Sequence, residues 1–408
     1  MSNKEPKETK EIKETKVAKE AKENISSFMK SSKGGRVLNG TAMEQVTELF
    51  SYASKMRTSD VHIDPWRDAY VVRMRIDGVM KEVLKLNRDT GLKMVGRIKV
   101  LSRLRSDITQ FPQDGRIDGT SMSVRVSTIP SIYGESVVLR MLPLEKKVET
   151  LESLGYNKDF ILACEGWAKS PYGLAIISGP TGSGKTTALY SILSMVDTNK
   201  KVVVSIEDPV ERHIENVRQL QVSKERGFTY PVALRHVMRQ DPDIIMIGEI
   251  RDAETANIAV HAALTGHLVI ATLHADSAHA IPLRLSALGI LPHYMSHAIS
   301  LLASIRLVRR LCLECKNKEF KKDLNNNHNL NQNHNQNHDC KKCGGSGYFG
   351  RAGISEHVKV DEKIKEKLDL SGKLEQKNFI SLLDDAIEKV KSGITDIEEA
   401  ERVLGKLK

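Results

Sequence analysis

Continuous apolar runs separated by helical stretches dominate the middle of the chain. The runs cover residues 174–178, 202–206, 244–247 and 268–272, and none of them alternates with polar residues. Strands that are apolar on both sides are typical of a parallel sheet covered by helices on both faces. The pattern therefore predicts an α/β domain over residues 156–310.

The segment before it, residues 36–142, has a different pattern. Residues 69–76 alternate between apolar and polar positions, as a half-buried strand does, and Asp77-Gly78 follows as a hairpin turn. We predict a smaller α+β domain here, joined to the next by a linker at residues 143–155. Its other signals are two turns at Asp114-Gly115 and Asp118-Gly119, a basic helix at 91–104 and a strand at 123–127.

The two ends of the chain are polar. Residues 1–35 alternate Lys with Glu and have no apolar face, which predicts a disordered tail or, alternatively, a contact with an adaptor or a membrane surface. Residues 311–357 form a cysteine module with an Asn/His-rich insert at 325–338. Residues 358–408 are expected to be helical, with Thr395 and Glu398 as the capping box of a last helix.

Composition limits the cellular location and the kinds of partner that the protein can have. Of 408 residues, 40% are hydrophobic, yet no apolar stretch approaches the ~20 residues that span a bilayer, and no signal-peptide core follows the N-terminus. We therefore expect a cytoplasmic protein. Its net charge of +10 is compatible with nucleic acid, anionic lipid or acidic protein partners and does not choose among them.

A phosphate-binding loop follows the first apolar run. Residues 179–186 read GPTGSGKT and fit G-x-x-x-x-G-K-[ST] between a predicted strand and a predicted helix, at 186–196. Backbone N–H groups of such a loop wrap phosphates, while Lys185 reaches the β- and γ-phosphates and the Thr186 hydroxyl binds Mg²⁺. The predicted nucleotide-binding residues are Gly179, Pro180, Thr181, Gly182, Ser183, Gly184, Lys185, Thr186 and Thr187.

Two acidic strand ends supply the remaining chemistry of hydrolysis. Glu207 and Glu249 each end or follow an apolar run, at the edge where ligands of parallel sheets bind. One carboxylate can orient the attacking water while the other holds Mg²⁺ through a water molecule. The residues alone leave open which glutamate does which.

Further boxes in fixed order resemble the type II secretion and type IV pilus assembly ATPases over about residues 40–408. They are SDVHI (59–63), RMRIDG (73–78), QDGR (113–116), RQDPD (239–243), GEIRD (248–252), TGH (265–267), TLH (272–274) and LVRRLC (307–312). The resemblance implies a RecA-like ATPase domain preceded by a PAS-like α+β domain.

The same resemblance implies residue roles. Glu207 is expected to be the water-activating base and Glu249 the Mg²⁺ partner, and His267 and His274 to sense the γ-phosphate. The family often has His-Thr-Asn where this chain has His274-Ala-Asp276. The arginines expected to reach nucleotide are Arg116 and Arg125 of the first domain and Arg235, Arg239 and Arg251 of the second.

Four of the five cysteines form two C-x-x-C pairs. Cys312 and Cys315 precede Cys340 and Cys343 by a gap of 24 residues, a set that can offer four thiolates to a structural Zn²⁺. Redox or unligated cysteine is the alternative. The fifth, Cys164, is expected to be a packed core residue.

The resulting prediction is a hexameric ATPase that drives assembly of pilin or pseudopilin fibres, with ATP, Mg²⁺ and Zn²⁺ as cofactors. Its expected partners are an inner-membrane platform protein and a cytoplasmic adaptor, with peripheral membrane association. Two alternatives remain, a nucleic-acid-stimulated ATPase that uses the zinc module, and a regulator with a vestigial P-loop. Aromatic residues are only 5% of the chain, which disfavours a nucleic-acid stacking surface.

Overall fold

A computed structural model describes residues 40–119, 122–143, 148–315, 340–372, 374 and 379–406. The predicted tail at 1–35 and the insert at 325–338 lie outside the described residues. The described residues divide into two compact units, the first drawn from residues 40–143 and 340–345 and the second from the remainder.

The first unit is an antiparallel six-stranded sheet with helices. Its strand order is β3-β2-β1-β6-β5-β4. Asp77 and Gly78 both have positive φ in the β2–β3 turn, as a two-residue hairpin requires. The elements are α1 (Ala42–Lys55), β1 (Thr58–Pro65), β2 (Ala69–Ile76), β3 (Val79–Asn87), α2 (Arg88–Leu101), β4 (Gln113–Asp118), β5 (Met122–Ser131) and β6 (Gly134–Pro143).

The second unit contains the predicted parallel sheet, in the order β13-β12-β7-β11-β10-β8-β9. All neighbours are parallel except the antiparallel pair β12–β13. Its strands are β7 (Gly173–Ser178), β8 (Val203–Glu207), β9 (Arg218–Gln221), β10 (Ile244–Ile247), β11 (Leu268–Leu273), β12 (Ile299–Leu311) and β13 (Tyr348–Lys359). Its helices are α3 (Lys158–Lys169), α4 (Lys185–Leu193), α5 (Tyr230–Val237), α6 (Ala253–Leu264), α7 (Ala280–Ala287), α8 (Pro292–Ala298), α9 (Glu362–Ser371), α10 (Leu382–Lys391) and α11 (Ile397–Leu404).

Both faces of this sheet are buried. Leu174 and Ile176 of β7 contribute to one apolar core and Ala175 and Ile177 to another, because successive side chains of a strand point to opposite faces. Cys164 of α3 is buried in the second core, as expected. The predicted α/β architecture with a parallel sheet is confirmed. No helix within the described ranges combines the length and apolar character of a membrane span.

Three local expectations were wrong. Asp114-Gly115 lies inside β4 rather than in a turn, and glycine is needed there because a Cβ on Gly115 would lie 2.6 Å from the Ser102 carbonyl oxygen. The last helix is capped by Asp396, whose carboxylate accepts from the Glu399 N–H at 2.9 Å, and not by Thr395. The segment predicted as a cysteine module also contains most of β13, a strand of the main sheet.

Helix α2 provides a stability test, because two of its glycines differ in surroundings. A Cβ on Gly91 would collide with the Tyr70 ring, whereas a Cβ on Gly96 meets no atom within 4 Å. Gly91→Ala should lower the free energy of unfolding by about 1–3 kcal/mol through overpacking. The matched Gly96→Ala should leave stability unchanged or raise it by about 0.5–1 kcal/mol, because alanine favours helix. Urea unfolding measures both, and equal effects at the two positions would contradict this packing.

Candidate functional site

The phosphate-binding loop connects β7 to α4 in the second unit. Gly179, Gly182 and Gly184 all have positive φ, and Gly184 ends the loop as the residue before the helix. No side chain caps the start of α4. The first N–H groups of a helix need an acceptor, and an anion such as phosphate supplies one. The sequence therefore builds an anion site at this helix end.

Strand β12 flanks the loop and explains its first glycine. A Cβ on Gly179 would lie 2.7 Å from the Ile305 carbonyl oxygen and 2.5 Å from Ser183 Oγ. Ser183 is buried, and within the described ranges its hydroxyl has no hydrogen-bond partner. A buried polar group without a partner is costly unless a ligand or water satisfies it.

The Lys185 ammonium is held inside the loop. Its Nζ donates to the carbonyl oxygens of Gly179 at 2.8 Å and Pro180 at 3.1 Å. Burial lowers the pKa of Lys185, and the carboxylate of Glu249 opposes that shift. A desolvated cation beside backbone N–H donors gains a large favourable interaction free energy when it binds a negatively charged ligand.

Charged side chains from β8, β10 and β11 meet near this loop, because parallel strands end at the same edge of a sheet. Glu249 follows β10 and contacts Arg251 Nε at 2.6 Å and His274 Nε2 at 2.8 Å. Arg251 also lies 3.3 Å from Asp208, which follows β8. The structure thus brings together Glu249, Arg251 and His274, as the sequence predicted for one site.

A hydrogen-bond ladder aligns the segment after β10 with β11. The Ile250 N–H donates to the Thr272 carbonyl at 2.9 Å, and the Thr272 hydroxyl donates to the Gly248 carbonyl at 2.5 Å. These bonds fix the backbone on either side of Glu249. The Glu249 carboxylate therefore has a defined position relative to β11 and His274.

Glu207 differs from Glu249 in its environment. Its side chain ends β8, is 2% exposed, and accepts from Ser205 Oγ at 2.6 Å, from Gln219 Nε2 at 3.0 Å and from the Tyr190 hydroxyl. A second acid in the same segment, Glu211, is exposed, and its N–H donates to the Tyr190 hydroxyl at 3.4 Å. Glu211 was not among the predicted site residues, although it stands only four residues after Glu207.

The two histidines lie at opposite ends of β11, which corrects one expectation. His267 immediately precedes the strand and His274 immediately follows it. Six residues of parallel strand span about 20 Å. Among the described residues, the hydrogen-bond partners of His267 are local, namely the Ala262 carbonyl and Thr265 Oγ1. His267 therefore cannot sense a γ-phosphate bound at the P-loop of its own chain, whereas His274 lies at the P-loop edge.

The arginines of α5 and its C-terminal side have other partners. Arg235 forms an exposed ion pair with Glu254 at the start of α6. Arg239 contacts His236 Nδ1 at 3.0 Å and lies shortly before β10 begins, at the edge of the sheet away from the P-loop. Of the three arginines predicted in this unit, only Arg251 contacts the Glu249 group.

In the first unit, Arg116 and Arg125 form part of a row of like charges. Register pairs Arg116 of β4 with Arg125 of β5, and Arg125 with Arg140 of β6, so their side chains share one face of the sheet. Arg116 contacts Asp118 at 2.6 Å and Arg140 contacts Asp60 at 3.1 Å. Like charges directly opposite each other destabilise a sheet. The row is therefore suited to an anionic ligand.

The segment after His274 is tied to the β12–β13 pair. Arg306 of β12 donates to the Asp276 carbonyl at 2.7 Å, and the buried Glu356 of β13 accepts from the Ala278 N–H at 2.5 Å. The sequence pattern gave no signal for these contacts. Asp276 is thus held through its backbone carbonyl.

The four paired cysteines are together at one end of the same strand pair. Cys312, Cys315, Cys340 and Cys343 are all buried, and their sulfur atoms lie within 4.8 Å of one another. Cys312 directly follows β12, and its N–H donates to the Gly347 carbonyl at 2.7 Å, just before β13. Four thiols at this spacing fit the donor set of a closed tetrahedral Zn²⁺ site.

Comparison with known proteins places the chain in a family. Residues 38–402 match the family model described as "Type II/IV secretion system protein". Type II secretion system protein E of Aeromonas hydrophila is 39% identical, covering 88% of this chain and 74% of the relative. Type II secretion system ATPase E of Vibrio cholerae serotype O1 is 38% identical, with the same coverage of both chains.

Solved structures support the fold. The pilus retraction motor PilT with bound ADP has a TM-score of 0.59 at 22% identity, covering 87% of this chain and 95% of that one. The Legionella pneumophila ATPase DotB has a TM-score of 0.62 at 18% identity, covering 90% and 96%. With its P-loop and acidic strand ends in place, the chain belongs to the type II/IV secretion system protein family and is one of its ATP-hydrolysing enzymes.

Proposed function

We propose that the protein is a homohexameric motor that hydrolyses MgATP to assemble pilin or pseudopilin fibres in a secretion, pilus or DNA-uptake machine. It works at the cytoplasmic face of the inner membrane, with a platform protein and an adaptor as partners. The observation that carries the ATPase chemistry is the meeting of Lys185, Glu249 and His274 beside an uncapped helix start. The names of the relatives support the secretion role.

Nucleotide binds with its phosphates on the P-loop in this proposal. Backbone N–H groups of the loop and Lys185 hold the β- and γ-phosphates. The Thr186 hydroxyl and Glu249 would hold Mg²⁺, which would neutralise charge on the phosphate oxygens. His274 and Arg251, both in contact with Glu249, are then placed to respond to the γ-phosphate.

The burial of the two acids after β8 favours Glu211 as the group that orients the attacking water. A base must lie within hydrogen-bond reach of that water. Glu207 is 2% exposed, whereas Glu211 is exposed on the following segment. The assignment of Glu207 as base stays a prediction, and the comparison below separates the two.

Arg116 and Arg125 are proposed to stabilise the charge that develops on the γ-phosphate. An arginine brought to that group accelerates phosphoryl transfer strongly. The row of arginines on β4, β5 and β6 is supporting evidence, because a functional need explains an arrangement that costs stability. In a hexameric ring, the arginines of the first unit would act on a nucleotide bound at the P-loop of the same chain or at that of the neighbouring chain.

Zn²⁺ is proposed to join Cys312, Cys315, Cys340 and Cys343 as a structural staple. The site would close the end of the β12–β13 pair, whose other contacts hold the segment after His274. Four thiolates leave no open position for catalysis. The metal would thus act on the motor only by stabilising this pair of strands.

The glutamates can be distinguished by single-turnover hydrolysis of radiolabelled MgATP. Glu211→Gln should slow hydrolysis by about a hundredfold or more with little change in nucleotide affinity, because an amide is a poor proton acceptor. Glu207→Gln should slow hydrolysis by about tenfold, because the amide oxygen can keep the bonds from Ser205 and Gln219 while the amide NH₂ cannot accept from Tyr190. Lys185→Ala should abolish nucleotide binding. The control is Lys200→Ala, which replaces an exposed lysine. A parental rate in Glu211→Gln with a dead Glu207→Gln would return the base to Glu207.

The arginine row makes an unusual combination of effects testable. Arg125→Gln should lower kcat by at least about tenfold, because a transition-state contact is lost. It should leave stability unchanged or raise it by about 0.2–1 kcal/mol, because a like-charge pair is relieved. The control is Arg67→Gln, which replaces an exposed arginine of the same unit and should change neither kcat nor stability.

Light scattering should record a hexamer under the conditions of the ATPase assay. A fully active monomer would contradict the ring.

The cysteine site is tested by metal content and thermal unfolding. The purified chain should carry about one Zn²⁺, and replacing Cys312 and Cys340 with Ser should remove it and lower the melting temperature. Cys164→Ala is the matched control, since that cysteine is packed in a core away from the cluster, and it should keep the metal. Unchanged zinc in the double variant would refute the assignment.

A further inference from the structure

The buried carboxylate of Glu207 is the centre of a polar network that no proposed chemical step uses. Its partners in the described ranges are three neutral donors, Ser205, Gln219 and Tyr190, rather than a cation. Burying a carboxylate is costly unless its oxygens accept hydrogen bonds. A network satisfied in this way is rigid, and losing one member leaves the others unpaired.

Two of these donors also hold the loop that follows β8. The Tyr190 hydroxyl, besides donating to Glu207, accepts from the Glu211 N–H at 3.4 Å. Gln219 Nε2 donates to the Arg212 carbonyl at 2.9 Å, and its Oε1 accepts from the Ile214 N–H at 2.8 Å. Residues 208–214 form neither helix nor strand. Side-chain bonds therefore replace the regular ladder that would otherwise fix this backbone.

Tyr190 connects this loop to the phosphate-binding helix. It lies in α4, whose first residue is Lys185, so the hydroxyl is carried five positions after the phosphate-binding cation on the same helix. Burial and the contact with Glu207 raise the pKa of Tyr190, so the phenol keeps its proton at all physiological pH values. The protonated hydroxyl can therefore donate to Glu207 while it accepts from the Glu211 N–H.

We propose that Tyr190 and Gln219 are positioning residues for hydrolysis, which use Glu207 as a shared anchor to hold the 208–214 loop against the phosphate-binding helix. This inference rests on the proposed role of Glu211. The network sets the distance from the bound γ-phosphate to the water that Glu211 orients. Small displacements of a catalytic group are expensive, since a shift of about 1 Å can cost about a hundredfold in rate.

Tyr190→Phe is the sharpest test, because it removes one oxygen atom and keeps the ring in the core. Single-turnover hydrolysis of MgATP should slow by about tenfold to a hundredfold, with the nucleotide Kd changed by less than about twofold. Gln219→Met should have the same signature. Tyr172→Phe is the control, since Tyr172 is an exposed tyrosine before β7, and it should keep the parental rate.

A double-variant cycle distinguishes positioning from a general loss of stability. If Tyr190 acts through Glu211, adding Tyr190→Phe to Glu211→Gln should slow hydrolysis by less than about twofold beyond Glu211→Gln alone. Full multiplication of the two losses would overturn the inference, as would a parental rate in Tyr190→Phe when Glu211→Gln is slow. A parental rate in Glu211→Gln would overturn the base assignment and this inference with it, so the two failures are told apart.

Discussion

The start of α4 is the constraint on which the rest of the motor unit depends. The helix follows Gly184 and has no side-chain cap, and the first backbone N–H groups of a helix have no acceptor within the helix itself. A parallel sheet places the ends of β8, β10 and β11 at the same edge as that helix start. The carboxylates and the histidine that follow these strands therefore lie near a phosphate bound at the helix start. The backbone N–H groups and Lys185 supply the positive charge that attracts this phosphate.

The acids at this edge separate into two environments. Glu249 contacts Arg251 and His274, groups that can exchange partners when a nucleotide and Mg²⁺ arrive. Glu207 is buried among neutral donors and joins the phosphate-binding helix to the loop with Glu211. We propose that one carboxylate responds to ligand and the other holds structure, a division set by burial rather than by residue type.

Local features of the sequence predicted the P-loop, the continuous strands and the paired cysteines. Each of these features depends on the spacing of a few neighbouring residues. The positive φ values of the P-loop glycines agree with the predicted loop. The β12–β13 pair was missed because its strands are separated by the cysteine segment. The placement of His267 could have been predicted, since a six-residue strand between two histidines puts them at opposite ends. The Glu207 network could not, because Tyr190 and Gln219 meet that carboxylate only through the fold.

The central claim is that the uncapped start of α4 is the phosphate site, and amide hydrogen exchange tests it most directly. On adding Mg-ADP and then a non-hydrolysable MgATP analogue, amides of residues 182–187 should become strongly protected. This protection should be absent in Lys185→Ala at the same nucleotide concentration. Peptides covering α1 serve as the internal reference. Saturating nucleotide binding without protection of residues 182–187 would contradict the account.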